Sequence, residues 1–170
     1  DQAESMNTDI EVRFAALTHD LGKGGTPRDL LPSHPGHELR GTRLIRDLAA
    51  RLPVPRACRD LALLVAEYHT HVHRALELRP KTILNVLEKT DAFRRPDRFE
   101  QFLVTCEADA RGRAGLENRR YEQAGVFRGA FAAASAVDAG AIAKEVEDKK
   151  IPVEIRRARK RAISEFRAAR

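Results

Sequence analysis

The segment from Leu17 to Gly24, with the sequence LTHDLGKG, contains the residue pair that is best suited to chemistry. His19 and Asp20 are adjacent, and adjacent positions of a helix project about 100° apart. The two side chains can therefore share a ligand only if it lies close to the backbone between them, which a metal ion can do. The alternative is a core histidine hydrogen-bonded to a neighbouring carboxylate, the commoner arrangement for a lone His-Asp pair. Ligands from elsewhere in the chain must decide between the two interpretations.

Further histidines lie in two other segments of the chain. His34 and His37 belong to the segment SHPGHE, at the entrance to the second predicted helix. His69, His71 and His73 end the third predicted helix, and His69 continues an apolar stripe at helical spacing, so that its side chain should face inward. These positions supply nitrogen ligands from two elements other than the one that carries His19.

Two aspartates have helical spacings that predict inward carboxylates. Asp91 follows Leu84 and Leu87 at intervals of seven and four residues, and Asp109 is similarly placed relative to Phe102. A buried carboxylate needs a compensating partner, and a metal ion is one of the few that suffice. Several inward polar groups on different helices favour a metal centre over a set of independent core exceptions.

The elements that must position these groups are helices. Ile10, Phe14, Leu17 and Leu21 recur at helical spacing, Thr8 and Glu11 form a capping box, and Val12, Ala15 and Ala16 make the opposite side apolar as well. The first helix should therefore run through the middle of the domain. An irregular loop is expected over 22–36, and no stretch has the alternation of a strand. Further helices are predicted over 36–52 and 55–73, from about Pro80, from about Asp97, and over 119–136, 140–148 and 152–168.

Composition restricts the class of protein further. The chain has 170 residues of which 42% are hydrophobic, enough for a sizeable core, and no apolar run is long enough to span a membrane. Cys58 and Cys106 are isolated, which is typical of a protein in a reducing cytoplasm and argues against a zinc-thiolate site. The formal net charge is +6, yet residues 149–170 contain nine basic residues and only two acidic ones. The positive charge is therefore concentrated in the tail, which is either a phosphate-binding helix or a solvated terminal helix.

The sequence motifs of the chain, taken together, resemble those of a known family. The segments LTHDLGKGGT (17–26), HPGHE (34–38), CRDLALLVA (58–66), DAFRR (91–95), PDRF (96–99) and EADARGR (107–113), in this order, are similar to the C-terminal HD domain of the bacterial multifunctional CCA proteins, which are tRNA nucleotidyltransferases. The final segment, IPVEI followed by RRAR, is similar to the closing basic helix of that family. The resemblance covers nearly the whole chain and is more specific than the HD pair alone.

The resemblance implies an all-α fold, with a compact HD-type helical domain over 1–137 and a basic helical extension over 138–170. It implies a divalent metal ion, either nickel, magnesium or manganese, held by His19, Asp20, His69 and a distal aspartate, for which Asp91 is preferred and Asp109 is the second candidate. His19, Asp20 and Lys23 would be catalytic, and Lys23, His34 and His37 would bind substrate. Lys23 could instead be a cation that interacts with a helix C-terminus.

The activity that the resemblance implies is metal-dependent hydrolysis of 2′,3′-cyclic phosphates, 2′-nucleotides and other phosphomonoesters, including tRNA 3′ ends, in the cytoplasm and away from membranes. The alternative is a tRNA-binding module whose HD site is inert. The nucleotidyltransferase part of the parent protein and a second copy of the chain are the expected protein partners. Residues expected to contact nucleic acid are basic and lie in the tail: Arg156, Arg157, Arg159, Lys160 and Arg161.

The sequence departs from the family pattern at its start. HD proteins take a first metal-binding histidine from the helix before the HD pair, and no histidine precedes His19 here. We expect that ligand to lie upstream of Asp1, so that this chain binds metal weakly and hydrolyses phosphate esters slowly. The nucleotide-adding site also has no counterpart in this sequence.

Overall fold

The computed structural model describes residue 3, residues 9–112 and residues 115–170. Within these ranges the secondary structure is helical and contains no strand, which confirms the all-α prediction. Three short 3-10 helices cover Leu21–Gly25, Arg28–Leu30 and Asp148–Lys150. The α-helices of the described part are α1 (Ile10–Thr18), α2 (His37–Arg51), α3 (Arg56–His73), α4 (Pro80–Lys89), α5 (Pro96–Arg111), α6 (Glu122–Ser135), α7 (Ala139–Glu145) and α8 (Ile151–Ala168).

Local sequence accounts for most helix boundaries. Pro80 and Pro96 begin α4 and α5, at a position where the absent N–H of proline is no loss. Gly36 precedes α2 with a left-handed φ of 69°, and the Asp138 side chain accepts a hydrogen bond from the Ala141 N–H at the start of α7. The predicted capping box depends on Thr8, which lies outside the described residues. The expected loop over 22–36 contains two of the 3-10 helices and is otherwise irregular.

Helix α3 lies at the centre of the helical packing. It contacts α1, α2, α5 and α6, and its buried positions are mostly small or β-branched residues, including Ala62, Val65 and Ala66. Opposite it, α5 contributes the fully buried Phe102 and α6 contributes Phe127. Because α3 contacts α1, α2 and α5, polar side chains on these four helices can meet at one place.

Helix α1 differs from the expectation that it runs through the middle of the domain. Its buried residues are Val12, Ala15 and Thr18, whereas Ile10 is 62% exposed and Leu17 is 81% exposed in the described part of the chain. The expectation was wrong because an all-round apolar pattern does not tell which side is covered. The small Ala15 faces the interior, and this places α1 close against α3.

Helix α8 packs onto α4 and α6. Ile163 is fully buried, and the Phe166 ring lies so close to Gly129 of α6 that a Cβ atom at that glycine would overlap it. The guanidinium group of Arg167 donates hydrogen bonds to three backbone carbonyls that follow α3, those of Ala75, Leu76 and Leu78. The basic tail therefore contributes to the core, and the division of the chain at residue 137 stays a prediction.

No single helix in the described ranges is both long enough and apolar enough to cross a membrane. Helices α6 and α7 meet such a criterion only as a pair, across a bend of 42°.

Candidate metal centre

His19 and Asp20 lie where α1 ends. The His19 N–H still donates to the Ala15 carbonyl at 3.0 Å, whereas Asp20, with φ of −100° and ψ of 9°, has left the helical conformation. The backbone then passes tightly against the start of α2. A Cβ atom at Gly22 would collide with the His37 carbonyl oxygen, so glycine is required there. This close approach brings the His-Asp pair next to His37.

Three imidazoles surround the Asp20 carboxylate. The ligand atoms of His19, Asp20 and His69 all lie within 4.8 Å of one another. His19 Nε2 is 3.3 Å from Asp20 Oδ2, and His69 Nε2 is 3.6 Å from Asp20 Oδ1. His37 Nε2 is 3.7 Å from the same Oδ1 atom. The group therefore joins residues that lie up to 50 positions apart in the sequence.

The three imidazoles share one hydrogen-bonding arrangement. In His19, His37 and His69 the Nδ1 atom lies 2.8 to 2.9 Å from the carbonyl oxygen of a residue three or four positions earlier. A carbonyl oxygen can only accept, so each Nδ1 carries a hydrogen and donates it. A histidine held in this way presents its Nε2 atom to a metal ion in a fixed orientation. All three Nε2 atoms are directed toward Asp20.

A second carboxylate reaches the group from α5. Asp109 Oδ1 is 3.4 Å from His19 Nε2, and Asp109 Oδ2 is 2.9 Å from His73 Nε2. The Tyr121 hydroxyl in turn lies 2.8 Å from His73 Nδ1. His73 thus donates from Nε2 to Asp109 and accepts from Tyr121, and these bonds fix the Asp109 carboxylate. His73 sits four residues after His69, a spacing that pointed to the same face of α3, but nothing in the sequence pointed to Tyr121.

The structure does not place Asp91 where the sequence predicted it. Helix α4 ends at Lys89, and Asp91 has a left-handed φ of 57°. The Asp91 and Ala92 N–H groups bond to the Glu88 and Leu87 carbonyls, as in a Schellman helix end. The Asp91 side chain is 33% exposed and pairs with arginines, including Arg95 at 3.5 Å.

The prediction of a core-facing Asp91 was therefore wrong, because it extended the helical spacing past the end of the helix. Asp109 is the aspartate that lies next to His19, and its role as the distal metal ligand stays a prediction.

The charges of the group are strongly coupled. Burial lowers the pKa of His19, but the carboxylates of Asp109 and Asp20 outweigh burial and raise this pKa to about 10. Burial raises the pKa values of Asp20 and Asp109, yet the interactions with His19 hold both well below their usual range. Burial, followed by the charge on His19, lowers the pKa of His69 to about 4. Two carboxylates in one partly buried place thus favour a positive charge between them.

A metal ion fits the atoms that this group leaves unpaired. His19 Nε2, Asp20 Oδ1 and His37 Nε2 are buried and have no hydrogen-bond partner within the part of the chain that the structure describes. A buried polar atom without a partner costs about 1–3 kcal/mol. Three such atoms that converge from different elements would be satisfied together by one cation, and nitrogen and oxygen ligands suit divalent first-row ions.

The loop after Asp20 carries further polar groups. Lys23 Nζ is 2.5 Å from Asp20 Oδ2, and its side chain is 35% exposed. His34 Nδ1 is 2.9 Å from Thr26 Oγ1 rather than in the imidazole group. The loop is held by Arg40, which donates to the Gly22 carbonyl, to Thr26 Oγ1 and to the Pro35 carbonyl. Sequence reasoning missed Arg40, because neutral backbone acceptors leave no charge pattern.

The basic residues of α8 have different environments. Arg156 pairs with Glu88 at 3.0 Å and also contacts Asn85, and the Arg159 guanidinium lies 3.9 Å from the centre of the Phe93 ring. Arg157 and Arg161 are each 77% exposed and lie at 3.8 and 3.9 Å from acidic residues of their own helix. Among the described residues Lys160 has no ion-pair partner.

The profile of the HD domain family matches residues 1–95, more than half of the chain. The chain belongs to the HD domain family. The match includes His19, Asp20 and His69, whereas Asp109 lies beyond it and is joined to the HD pair only in three dimensions. No solved structure matches the chain.

The curated relatives of this HD domain are longer proteins. A Multifunctional CCA protein of Nitrosococcus oceani is 61% identical over 137 residues, which are 81% of this chain and 34% of that protein. One of Thioalkalivibrio sulfidiphilus is 56% identical over 85% of this chain and 35% of its own length. One of Dechloromonas aromatica is 52% identical over 98% of this chain and 40% of its own length. The chain thus spans between a third and two fifths of the length of these relatives.

Proposed function

We propose that this chain is a metal-dependent phosphohydrolase domain of a CCA-adding protein. The observation that carries the proposal is the convergence of three Nε2 atoms on the Asp20 carboxylate, with buried atoms left unpaired. His19, Asp20 and His69 would hold the ion, and Asp109 and His37 stand next to them. When bound, a divalent ion supplies Lewis-acid activation of water and of a phosphoryl oxygen. Because imidazole nitrogen outnumbers carboxylate oxygen around Asp20, nickel is favoured over magnesium and manganese, which prefer oxygen ligands.

The residues of the chain itself would orient the metal ligands and neutralise the negative charge of a phosphate group. Lys23 is the charged group nearest to Asp20 that is also accessible to solvent, so its ammonium group can pair with a phosphate oxygen. One hydrogen bond from His73 holds Asp109, and Asp109 in turn lies next to His19 and orients it. Arg40 donates hydrogen bonds to the Gly22 carbonyl and to Thr26 Oγ1 and so supports the loop that carries Lys23 and Thr26. His34, bonded to Thr26, is proposed to contact substrate there.

The proposed substrates are phosphate esters of nucleosides. The relatives are named Multifunctional CCA protein, and phosphomonoesters or 2′,3′-cyclic phosphates at a tRNA 3′ end fit both that name and a centre built for phosphoryl oxygen. The nucleotidyltransferase part of a longer protein would deliver such an end to this domain.

The test is hydrolysis by the purified chain after treatment with a chelator. Rates are measured with adenosine 2′-phosphate, adenosine 2′,3′-cyclic phosphate and p-nitrophenyl phosphate, each with nickel, manganese or magnesium added back. We expect activity to return with nickel more than with manganese or magnesium and to be lost in Asp20→Asn. Asp91→Asn is the matched control, because asparagine also tolerates the left-handed conformation at a helix end. A rate that survives both the chelator and Asp20→Asn would refute a metal-dependent reaction.

RNA binding by α8 is a second proposed function. The exposed Arg157 and Arg161 and the unpaired Lys160 favour it, since they form a cationic surface on one helix. Binding of tRNA that weakens steeply as salt rises would support this function. Binding that does not depend on salt would count against it.

A further inference from the structure

A cavity of about 260 Å³ lies beside the candidate metal centre, where α5 ends. It shares His73 and Asp109 with that centre, and its remaining wall includes Arg111, Arg119 and Tyr121. The volume is close to the lower end of the range for small-molecule sites, about 300 Å³. A molecule with one end at the Asp109 carboxylate could therefore place its other end in this cavity.

The wall of the cavity carries two guanidinium groups that can donate further hydrogen bonds. Arg119 is exposed, and no carboxylate in the described ranges lies within 4.0 Å of it. Arg111 pairs with Glu107 at 2.8 Å through one terminal nitrogen, but its Nε atom is buried and has no hydrogen-bond partner among the described residues. Guanidinium groups match the geometry of phosphate oxygens and bind them in a bidentate manner. The free donors of this wall thus suit a phosphate group.

The rest of the wall suits the organic part of a nucleotide. Tyr121 is held in place by its hydrogen bond to His73, and Ala110, Leu116 and Gln123 complete the lining. Aromatic side chains and guanidinium planes are the groups on which unpaired bases stack, and an amide can bond to a base edge. Two other cavities, one between α7 and α8 and one beside Arg94 and Arg95, are not lined by residues of the metal centre.

We propose that this cavity binds the 5′-phosphate side of a nucleotide whose scissile phosphate lies at the metal centre. The substrate class would be nucleotides with a second phosphate, as at the 3′ end of an RNA chain, and Arg119 with Arg111 would bind that second phosphate. The inference rests on the proposed hydrolytic function, because it takes the metal centre as the place of the first phosphate.

Kinetic discrimination between two substrates tests the cavity. The kcat/KM for release of the 2′-phosphate is measured with adenosine 2′,5′-bisphosphate and with adenosine 2′-phosphate, which differ only in the 5′-phosphate. We expect the chain to prefer the bisphosphate, and we expect Arg119→Gln to reduce this preference about 10- to 100-fold, the worth of a hydrogen bond to a charged group. Arg120→Gln is the control, since Arg120 is 87% exposed, pairs with Glu122 and does not line the cavity.

A binding measurement separates the cavity from the hydrolytic function. Calorimetry with adenosine 5′-phosphate and metal-free protein should give binding that Arg119→Gln weakens at least 10-fold and Arg120→Gln leaves unchanged. If the metal-free chain shows this binding but the chain with metal added hydrolyses none of the substrates, the cavity would be supported and the proposed function refuted. Hydrolysis without preference for the bisphosphate, together with equal binding by all three proteins, would support the function and refute the cavity.

Discussion

The candidate metal centre and helix α8 are two places where charged residues concentrate, and the contacts of these residues differ between the two. Around Asp20, polar atoms from α1, α2 and α3 converge and several keep no partner among the described residues. Along α8, Arg156, Arg159 and Arg167 meet a carboxylate, an aromatic ring and backbone carbonyls of the same chain. The difference teaches that unpaired buried atoms which converge from several elements mark a candidate ligand site, whereas a row of charges along one helix can be largely paired within the chain.

The largest expected effect comes from removing the central carboxylate. Asp20→Ala should abolish measurable metal binding and lower the hydrolytic rate more than about 100-fold, because even supporting residues of a metal site are worth about 10- to 100-fold. Calorimetric titration with nickel and a phosphatase assay measure the two effects. Metal binding that is equal in Asp20→Ala and in the unmodified chain would remove the contrast between the two regions.

The next effect concerns the structural role of α8. Ile163→Ala should lower the free energy of unfolding by about 2–5 kcal/mol, because the side chain is fully buried against α4 and α6. Denaturant unfolding measures this loss. The matched control is Arg161→Ala on the exposed side of the same helix, which should change stability by less than about 0.5 kcal/mol. Equal effects of the two changes would show that α8 is not part of the core in solution.

A comparison of two aspartates sharpens the boundary of the metal centre. Asp109→Asn should weaken metal binding about 10- to 100-fold, since it removes the negative charge next to His19 and leaves one acceptor oxygen in place of the two that face His19 and His73. Asp91→Asn should leave metal affinity unchanged, because Asp91 pairs with arginines. Both variants are titrated with the same ion at one pH. The reverse order of affinities would restore Asp91 as the distal ligand.

The smallest effect separates the basic residues of α8 from one another. Lys160→Gln should weaken tRNA binding modestly and reduce the slope of log K against log salt by about 0.7 to 1, as for the loss of one phosphate contact. Arg156→Gln should change the slope little and lower stability by at most about 1 kcal/mol, because its charge is paired with Glu88 at the surface. Filter binding over a range of salt concentrations distinguishes them, and identical slopes for both variants would contradict the distinction.

The sequence predicted what local patterns can determine. The helices, the prolines that begin two of them and the inward face of His69 follow from spacing along single elements. The choice between Asp91 and Asp109 as the inward-facing carboxylate does not follow from such spacing, because it depends on the residue at which α4 ends. That end is formed by a left-handed aspartate, whereas glycine is the residue that usually marks such a position.

Long-range contacts could not be predicted from the sequence either. Tyr121 bonds to His73 across 48 positions, and Arg167 reaches the carbonyls after α3 across about 90. Neither contact leaves a periodic pattern. The same limit explains why all five basic residues predicted to contact nucleic acid looked available, although Arg156 and Arg159 contact other parts of the chain.

The packing of α8 against earlier helices has a consequence for synthesis on the ribosome. This helix follows the other described helices in chain order, so a ribosome that adds about 5–20 residues per second completes it about one to four seconds after residue 150. During that interval the surfaces of α4 and α6 that Ile163 and Phe166 later cover are open. The carbonyls after α3 also lack the hydrogen bonds that Arg167 donates to them in the folded chain. A nascent chain arrested before Ile151 would therefore offer chaperones an apolar surface that the finished protein hides.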